Sequence, residues 1–182
     1  MGHTTLVAKL FHLPVRTLIH PTGTFQEIRE ERAGTVLAYG LVIVLFNLVM
    51  TALAAMSGLT PELMLPMVIT SLLTVCLGGF WLHLFVYGLG GRSGVGATFR
   101  VVIFGLTPTA LLGWIPGVGL IGFLWSIVIV YFGLQELQDI SKARAVLALA
   151  LVFGIPLLLL ALLATTPGFM VFWPAPGWVT WV

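Results

Sequence analysis

Long apolar stretches, each at least as long as a membrane-spanning helix, are separated along this chain by short segments that contain the charged residues. Four stretches contain no Asp, Glu, Lys or Arg, and they cover residues 33–61, 63–91, 101–135 and 145–182. A helix crosses the hydrocarbon core of a bilayer with about 20 apolar residues. Each stretch is therefore long enough for one span. The third is long enough for two short spans joined by a tight turn at Pro116-Gly117.

This pattern predicts an all-α integral membrane protein with five transmembrane helices. We expect the spans at residues 35–56, 63–88, 98–115, 118–136 and 145–164. Gly58, Pro61 and Glu62 are expected to form the turn after the first span, and Pro156 to kink the fifth. The chain thereby divides into an N-terminal segment (1–32), a five-helix domain (33–164) and a tail (165–182).

The N-terminal segment is predicted to be cytoplasmic and interfacial rather than a span. Apolar residues between Leu6 and Leu13 have rough helical spacing, which is typical of an amphipathic segment in the headgroup region. Pro14 and Pro21 are expected to break it into short pieces. The sequence Thr24-Phe25-Gln26-Glu27 has the form of a capping box and predicts a short helix from Phe25 to Arg32.

The positions of Lys and Arg predict the orientation. All eight lie in the N-terminal segment or in the loops near residues 92–100 and 142–144. With five spans these regions share one side of the membrane, which the positive-inside rule makes cytoplasmic. The N terminus is then cytoplasmic and the C terminus external, in the cell membrane if the source is prokaryotic. The tail is expected to act as an aromatic anchor at the outer interface through Trp173, Trp178 and Trp181.

Composition narrows the class of protein further. Hydrophobic residues make up 59% of the chain and charged residues 8%, against roughly 45–50% and about 25% in soluble domains. Lipid must therefore be the solvent, and membrane lipids are the first expected partners. The net charge of +2 is spread over several loops, so no nucleic acid partner is expected.

The predicted spans carry little reactive chemistry. Their one ionisable side chain near mid-span is His83, which we expect to hydrogen-bond a helix neighbour or a water. Ion-coupled pumps need buried ionisable groups, so a pump is not expected. No nucleotide loop, zincin motif or Ser-His-Asp arrangement occurs. We therefore expect no enzyme, no metal site and no cofactor.

Two other functions stay open at this level. A passive channel or small-solute transporter needs a continuous polar path, for which the chain offers Asn47, Thr51, Thr74, His83, Tyr87, Thr107 and Ser126. A membrane enzyme acting on lipid needs carboxylates that converge on the cytoplasmic side. Those available are Glu27, Glu31, Glu136 and Asp139. The spacing of Glu136, Asp139 and Lys142 is that of ordinary pairs on one helix surface.

Small residues recur four apart in the third and fourth spans. The pairs are Gly105 with Thr109, Gly113 with Gly117, and Gly122 with Ser126. Close backbone approach is a main source of helix association in lipid. We expect these pairs to pack the two spans together, with contact between copies of the chain as the alternative.

The loop before the third span has the most unusual composition in the chain. It holds four glycines in seven residues from Gly90 to Gly96, which excludes a helix. Two arginines flank it at headgroup level, where anionic lipid attracts basic groups by about 1 kcal/mol each. The predicted lipid- or partner-binding residues are Gly90, Gly91, Arg92, Gly94, Gly96, Thr98, Phe99 and Arg100. Positions of expected helix flexing are Gly105, Pro108, Pro116 and Pro156.

Several of these segments together resemble the Yip1 domain family. The residues that carry the resemblance are Pro21, Phe25, the run from Gly90 to Arg100, Gly105, Pro108, Trp114-Ile115-Pro116, Gly133-Leu134-Gln135-Glu136 and Ile140 to Ala145. The resemblance covers residues 21–164. It implies a five-span membrane domain with a cytoplasmic N terminus.

The resemblance also implies a role in membrane organisation or trafficking. Eukaryotic members are associated with vesicle traffic and with small GTPases of the Rab class, through a longer N-terminal region with an acidic and aromatic motif. That motif is lacking here, so small GTPase binding is not expected, and a prokaryotic member fits better. We therefore expect a non-enzymatic membrane scaffold or adaptor that contacts lipids, other membrane proteins or further copies of itself.

Overall fold

A computed structural model describes residues 6–54 and 61–165 of the chain, and every regular element in these ranges is an α-helix. In chain order the helices are α1 (Leu6–Ile19), α2 (Pro21–Ile28), α3 (Ala33–Ala54), α4 (Pro61–Gly88), α5 (Val95–Gly105), α6 (Thr107–Leu112), α7 (Val118–Gln138) and α8 (Lys142–Ala164).

The prediction of five spans in an all-α membrane protein is confirmed. The spans long and apolar enough to cross a membrane are α3, residues 68–88 of α4, α5 with α6 (95–112), α7 and α8. The predicted bounds differ by a few residues at most ends. Pro61 and Glu62 were predicted in a turn, but they open α4, because proline is well suited to the first position of a helix.

The third span is two helices rather than one. It is interrupted at Leu106, between α5 and α6. Pro108 lies in the first turn of α6, where the N–H that proline lacks has no helical partner to lose. Pro116 lies in the turn between α6 and α7, and Pro156 lies inside α8.

Two local predictions for the N-terminal segment are wrong. Helix α1 continues through Pro14, and α2 begins at Pro21 instead of Phe25. The capping box does not form, because Pro21 already starts the helix and leaves Thr24 within it. The Thr24 hydroxyl donates to the carbonyl of His20 at 3.1 Å, and Glu27 pairs with Arg16.

The N-terminal segment also contributes to the core of the bundle. Phe25 of α2 is fully buried; a Cβ on Gly133 of α7 would lie 2.6 Å from its ring. The ring meets Phe104 of α5 edge-on at 6.4 Å. Phe104 in turn stacks on Tyr39 of α3 at 4.2 Å. Four helices therefore meet around this aromatic cluster.

The turn between α1 and α2 lies beside Trp125, in the first half of α7. The Trp125 indole donates to the carbonyl of Leu18 at 3.2 Å. Trp125 precedes the end of α7 at Gln138 by about 20 Å, at roughly 1.5 Å per residue. From this turn α2 runs towards that end of α7.

Small residues pack the third span against α7, as predicted. A Cβ on Gly105 would lie 2.3 Å from Val130, and one on Gly122 would lie 2.8 Å from the carbonyl of Pro108. The hydroxyls of Thr109 and Ser126 are 2.8 Å apart. The predicted aromatic tail and the turn residue Gly58 lie outside the described residues.

Candidate functional site at the charged end of the bundle

Most charged side chains of the described residues gather where α2, α4 and α7 end and α5 and α8 begin. We call this region the charged end. Arg29 pairs with Asp139 at 2.5 Å, and Arg100 donates to the carbonyl of Ile28, the last residue of α2, and to two carbonyls just after it. The guanidinium of Arg144 is so near Gly90 that a Cβ there would lie 2.9 Å from it. The glycine-rich loop of residues 90–96 lies in the same region. The prediction that no part of it is helical is wrong for its last two residues, because Val95 and Gly96 form the start of α5.

Glycine is required in this loop for conformation and for space. Gly90 and Gly94 have φ of 100° and 85°, a region that side chains with a Cβ rarely adopt. At Gly91 a Cβ would lie 2.5 Å from Val86 and 2.9 Å from the Gln138 side-chain oxygen. The loop is therefore folded tightly against the end of α4 and against Gln138.

The buried Gln138 side chain holds this loop in place by hydrogen bonds from the interior of the bundle. Its amide nitrogen donates to the Gly94 carbonyl and to the Thr98 hydroxyl, both at 2.8 Å. Its oxygen accepts from the backbone N–H of Ser93 at 3.2 Å. Gln138 is only 1% exposed, so these bonds are shielded from water and both donors of the amide are used.

The network continues from Gln138 to His83. Nδ1 of His83 on α4 lies 2.8 Å from the hydroxyl of Thr98 on α5. Because Thr98 accepts from Gln138, its own hydroxyl proton is available for Nδ1 of a neutral His83. His83 thus bonds a neighbouring helix, one of the two roles expected for it. Hydrogen bonds thus connect His83 of α4, Thr98 of α5 and Gln138 of α7 on the interior side of the loop.

The two flanking arginines have different surroundings. Arg92 is exposed; its guanidinium lies 4.3 Å from the centre of the Tyr87 ring and donates to the Tyr87 carbonyl at 2.9 Å. Arg100 lies on α5 and donates to the carbonyls of Ile28, Arg29 and Glu31, the last at 2.6 Å. Arg100 therefore caps the end of α2, where positive charge favours the helix dipole.

Other predicted loop residues divide between surface and interior. Gly94 and Gly96 are exposed, whereas Thr98 is fully buried. Phe99 meets Phe80 edge-on at 5.2 Å and lies against Gly79, where a Cβ would be 2.9 Å from its ring. The surface that the loop presents is consequently residues 92–96.

The residues proposed for a polar path are hydrogen-bonded in separate places. Asn47 donates to the Ala110 carbonyl and Thr74 to the Thr70 carbonyl, both at 2.8 Å. The hydroxyl of Thr107 lies 2.8 Å from that of Tyr39 in the core. His83, Tyr87 and Ser126 have the contacts given above, and Thr51 is half-buried on α3.

Helix α2 supplies the partners of the carboxylates at the charged end. Gln26 donates to Glu136 at 3.2 Å, and Arg29 pairs with Asp139. We expected Glu136 and Asp139 to have a salt-bridge or helix-end role, and Asp139 does form a salt bridge at the end of α7. Its partner is Arg29 and not a residue of the same helix, because α7 ends at Gln138 and Asp139 has a left-handed backbone with φ of 53°. Within the described residues no group of three His, Cys, Asp or Glu is placed to hold a metal ion.

Comparison with known families decides the relationship. The family model of the Yip1 domain matches residues 15–164. The chain belongs to the Yip1 domain family. It is a polytopic integral membrane protein, of a family not known for enzymatic activity. The comparisons with curated proteins and with solved structures give no match.

The match includes α2 and the glycine-rich loop, so both are parts of the Yip1 domain. Sequence reasoning identified the loop but missed Gln138, the residue that holds it. A glutamine at the end of an apolar span looks like an ordinary interfacial residue. Its one signal is position, since it directly precedes the break between two spans and faces a loop rich in unpaired backbone groups.

Proposed function

We propose that this Yip1-domain protein is a non-enzymatic membrane scaffold or adaptor whose interaction surface is the exposed part of the glycine-rich loop, residues 92–96. We place the charged end, and with it this surface, in the cytoplasm. The supporting observation is the Gln138 network, in which three hydrogen bonds from the protein interior fix the loop while its outer side stays exposed.

A loop held in this way suits recognition. A flexible loop loses conformational freedom when it binds, and this opposes binding. The Gly91 and Gly94 backbone is already fixed by Val86 and Gln138. The outer side offers a guanidinium at Arg92, backbone amides and the apolar side chain of Val95, which is 39% exposed. Such a surface fits a protein partner or lipid headgroups at the membrane surface.

The surrounding chemistry supports binding rather than catalysis. The carboxylates Glu27, Glu136 and Asp139 each have a partner on α1 or α2. Glu136 and Asp139 thereby hold the N-terminal segment to the bundle, and Glu27 joins α2 to α1 within that segment. This leaves the loop as the feature of the charged end that is both ordered and turned outward.

The test changes the surface of the loop without touching its support. In the double variant Arg92→Glu with Val95→Asp, the new aspartate lies in the first turn of α5, where a negative charge suits the helix dipole. Cross-linking in native membranes followed by mass spectrometry would identify the neighbouring proteins, and native mass spectrometry the retained anionic lipids. We expect the double variant to lose the partners or lipids that the unmodified protein retains.

The matched control is Arg32→Glu. Arg32 is also exposed and directly precedes α3, so the control reverses one charge near the N-terminal segment without altering the loop. It should keep the same neighbours as the unmodified protein. Identical neighbours and lipids in the double variant and the unmodified protein would refute the proposal.

A further inference from the structure

A second feature of the molecule lies away from the loop, between α3 and α4. It is an open crevice of about 750 Å³, within the roughly 300–1,000 Å³ of small-molecule sites. Its walls are α3 (Leu37 to Asn47) and α4 (Pro66 to Cys76), and α5 and α6 form its floor from Phe99 to Ala110.

The contacts around the crevice explain why it stays open. Helix α3 contacts the floor, formed by α5 and α6, at two positions along its length. A Cβ on Gly40 would lie 3.1 Å from Ile103, and Asn47 donates to the Ala110 carbonyl. Helix α4 is held on the floor through Gly79 and Phe99, beyond Cys76. Val75 of α4 also packs against the core of the bundle, and the part of α4 from Pro66 to Thr74 borders the crevice.

Most of the surface that lines the crevice is apolar. Leucine, isoleucine and valine dominate the α3 wall, Leu72 and Val75 stand among serine and threonine on the α4 wall, and Phe99, Ile103 and Leu106 lie below. The hydroxyls of Thr70 and Thr74 donate to carbonyls of their own helix at 2.8 Å, and the Asn47 amide is used by Ala110. The hydroxyl protons of Thr70 and Thr74 and one N–H of Asn47 are thus already engaged, and most of the surface left to an occupant is apolar.

Length and position indicate the class of occupant. The ten residue steps of α3 from Leu37 to Asn47 extend about 15 Å at roughly 1.5 Å per residue. That is about half of the hydrocarbon thickness of a bilayer, roughly 30 Å. Both walls belong to membrane spans, so the crevice opens sideways into hydrocarbon. A chain from one leaflet of the bilayer matches its length and polarity.

We propose that this crevice is a binding site for one acyl chain of a membrane lipid. The chain enters sideways between α3 and α4 and lies over Phe99, Ile103 and Leu106. This proposal is independent of the function proposed for the loop, since no residue in positions 90–96 lines the crevice.

The test uses the whole protein in phosphatidylcholine nanodiscs that contain a few per cent of phosphatidylcholine with a diazirine in its acyl chain. After irradiation, adducts are mapped by mass spectrometry. We expect adducts on the crevice walls to saturate as the labelled fraction rises. On the outward side chains Leu77 and Leu84, which are 66% and 60% exposed, adducts should rise in proportion.

Filling variants supply the decisive comparison. Val44→Phe and Val75→Phe each add a ring to the crevice from opposite walls, so one remains informative if the other fails to fold. Either should lower crevice adducts several-fold. Leu77→Phe makes a like addition to the outward side of α4 and should change nothing.

Two results would overturn the proposal. One is crevice labelling that never saturates and is unaffected by both filling variants. The other is efficient oxidative cross-linking of two copies through Cys76, the single cysteine, which lies in the crevice wall. That result would make a second copy of the chain the occupant.

Discussion

At the scale of single residues, Gln138 is the most consequential side chain of the charged end. It is buried, it uses both donors and its acceptor, and each bond goes to a group in or just after the glycine-rich loop. Buried polar groups that lose their partner cost about 1–3 kcal/mol each. The conformation of the loop therefore depends on one residue that lies 42 positions or more along the chain from it.

Replacing Gln138 by leucine keeps similar bulk and removes all three bonds. We expect a loss of unfolding free energy of about 1–3 kcal/mol for each loop group left buried and unpaired. Amide hydrogen exchange of residues 91–96 should accelerate. Thermal unfolding in detergent and exchange measured by mass spectrometry would check both.

Gln135 provides the matched control, on the same helix and one turn earlier. Its amide donates only to the Tyr131 carbonyl of its own helix, at 3.1 Å. Gln135→Leu should leave exchange of the loop unchanged. Equal effects of the two substitutions would show that Gln138 does not hold the loop specifically.

At the scale of elements, α2 fastens the N-terminal segment to the bundle. Phe25 inserts beside Gly133, Arg100 caps the last carbonyls of α2, and Arg29 pairs with Asp139. These contacts combine an apolar insertion with charge-assisted bonds, which are stronger than neutral ones. The helix is too short to be stable by itself in water, so these contacts supply its stability.

The close approach at Gly133 can be tested by Gly133→Ala. The new methyl group would overlap the buried ring of Phe25, and overpacking of this kind costs about 1–3 kcal/mol. We expect a lower unfolding temperature and faster proteolysis between residues 20 and 32.

The control for this substitution is Gly154→Ala in α8, where a Cβ would meet nothing within 4 Å. There the helix preference of alanine should leave stability unchanged or raise it by about 0.5–1 kcal/mol. If Gly133→Ala behaved like Gly154→Ala, the insertion of Phe25 would not be what holds α2.

At the scale of the whole molecule, the odd number of spans among the described residues predicts that the two termini lie on opposite sides of the membrane. Lys and Arg are concentrated in the N-terminal segment and in the loops at the charged end, so this end is predicted to be cytoplasmic. A reporter active only in the cytoplasm should be inactive when fused at Val182, and one active only outside should work there.

The same two reporters at the N terminus should give the opposite pattern. A cytoplasm-only reporter that works at both termini would contradict an odd number of spans. This measurement depends on the fold alone and is unaffected by the outcome of the experiments on the loop.

Hydropathy predicted the spans because burial in lipid imposes long apolar stretches that a sequence shows directly. Local motifs were less reliable where two signals competed. Helix α2 begins at Pro21 and not at the capping box three residues later at Thr24. Pro14 lies inside α1 and does not end it. Long-range contacts such as Phe25 with Gly133 leave no periodic trace, so the docking of α2 and the role of Gln138 appear only in three dimensions.

The docking of α2 has a consequence for biosynthesis. Its partners Arg100, Gly133 and Asp139 are made long after it, with 110 residues separating Arg29 from Asp139. When α3 enters the membrane, Gly133 and Asp139 have not yet been translated. Helix α2, although it is translated before all five spans, is therefore among the last elements to reach its place, and the charged end forms only after α7 has been inserted.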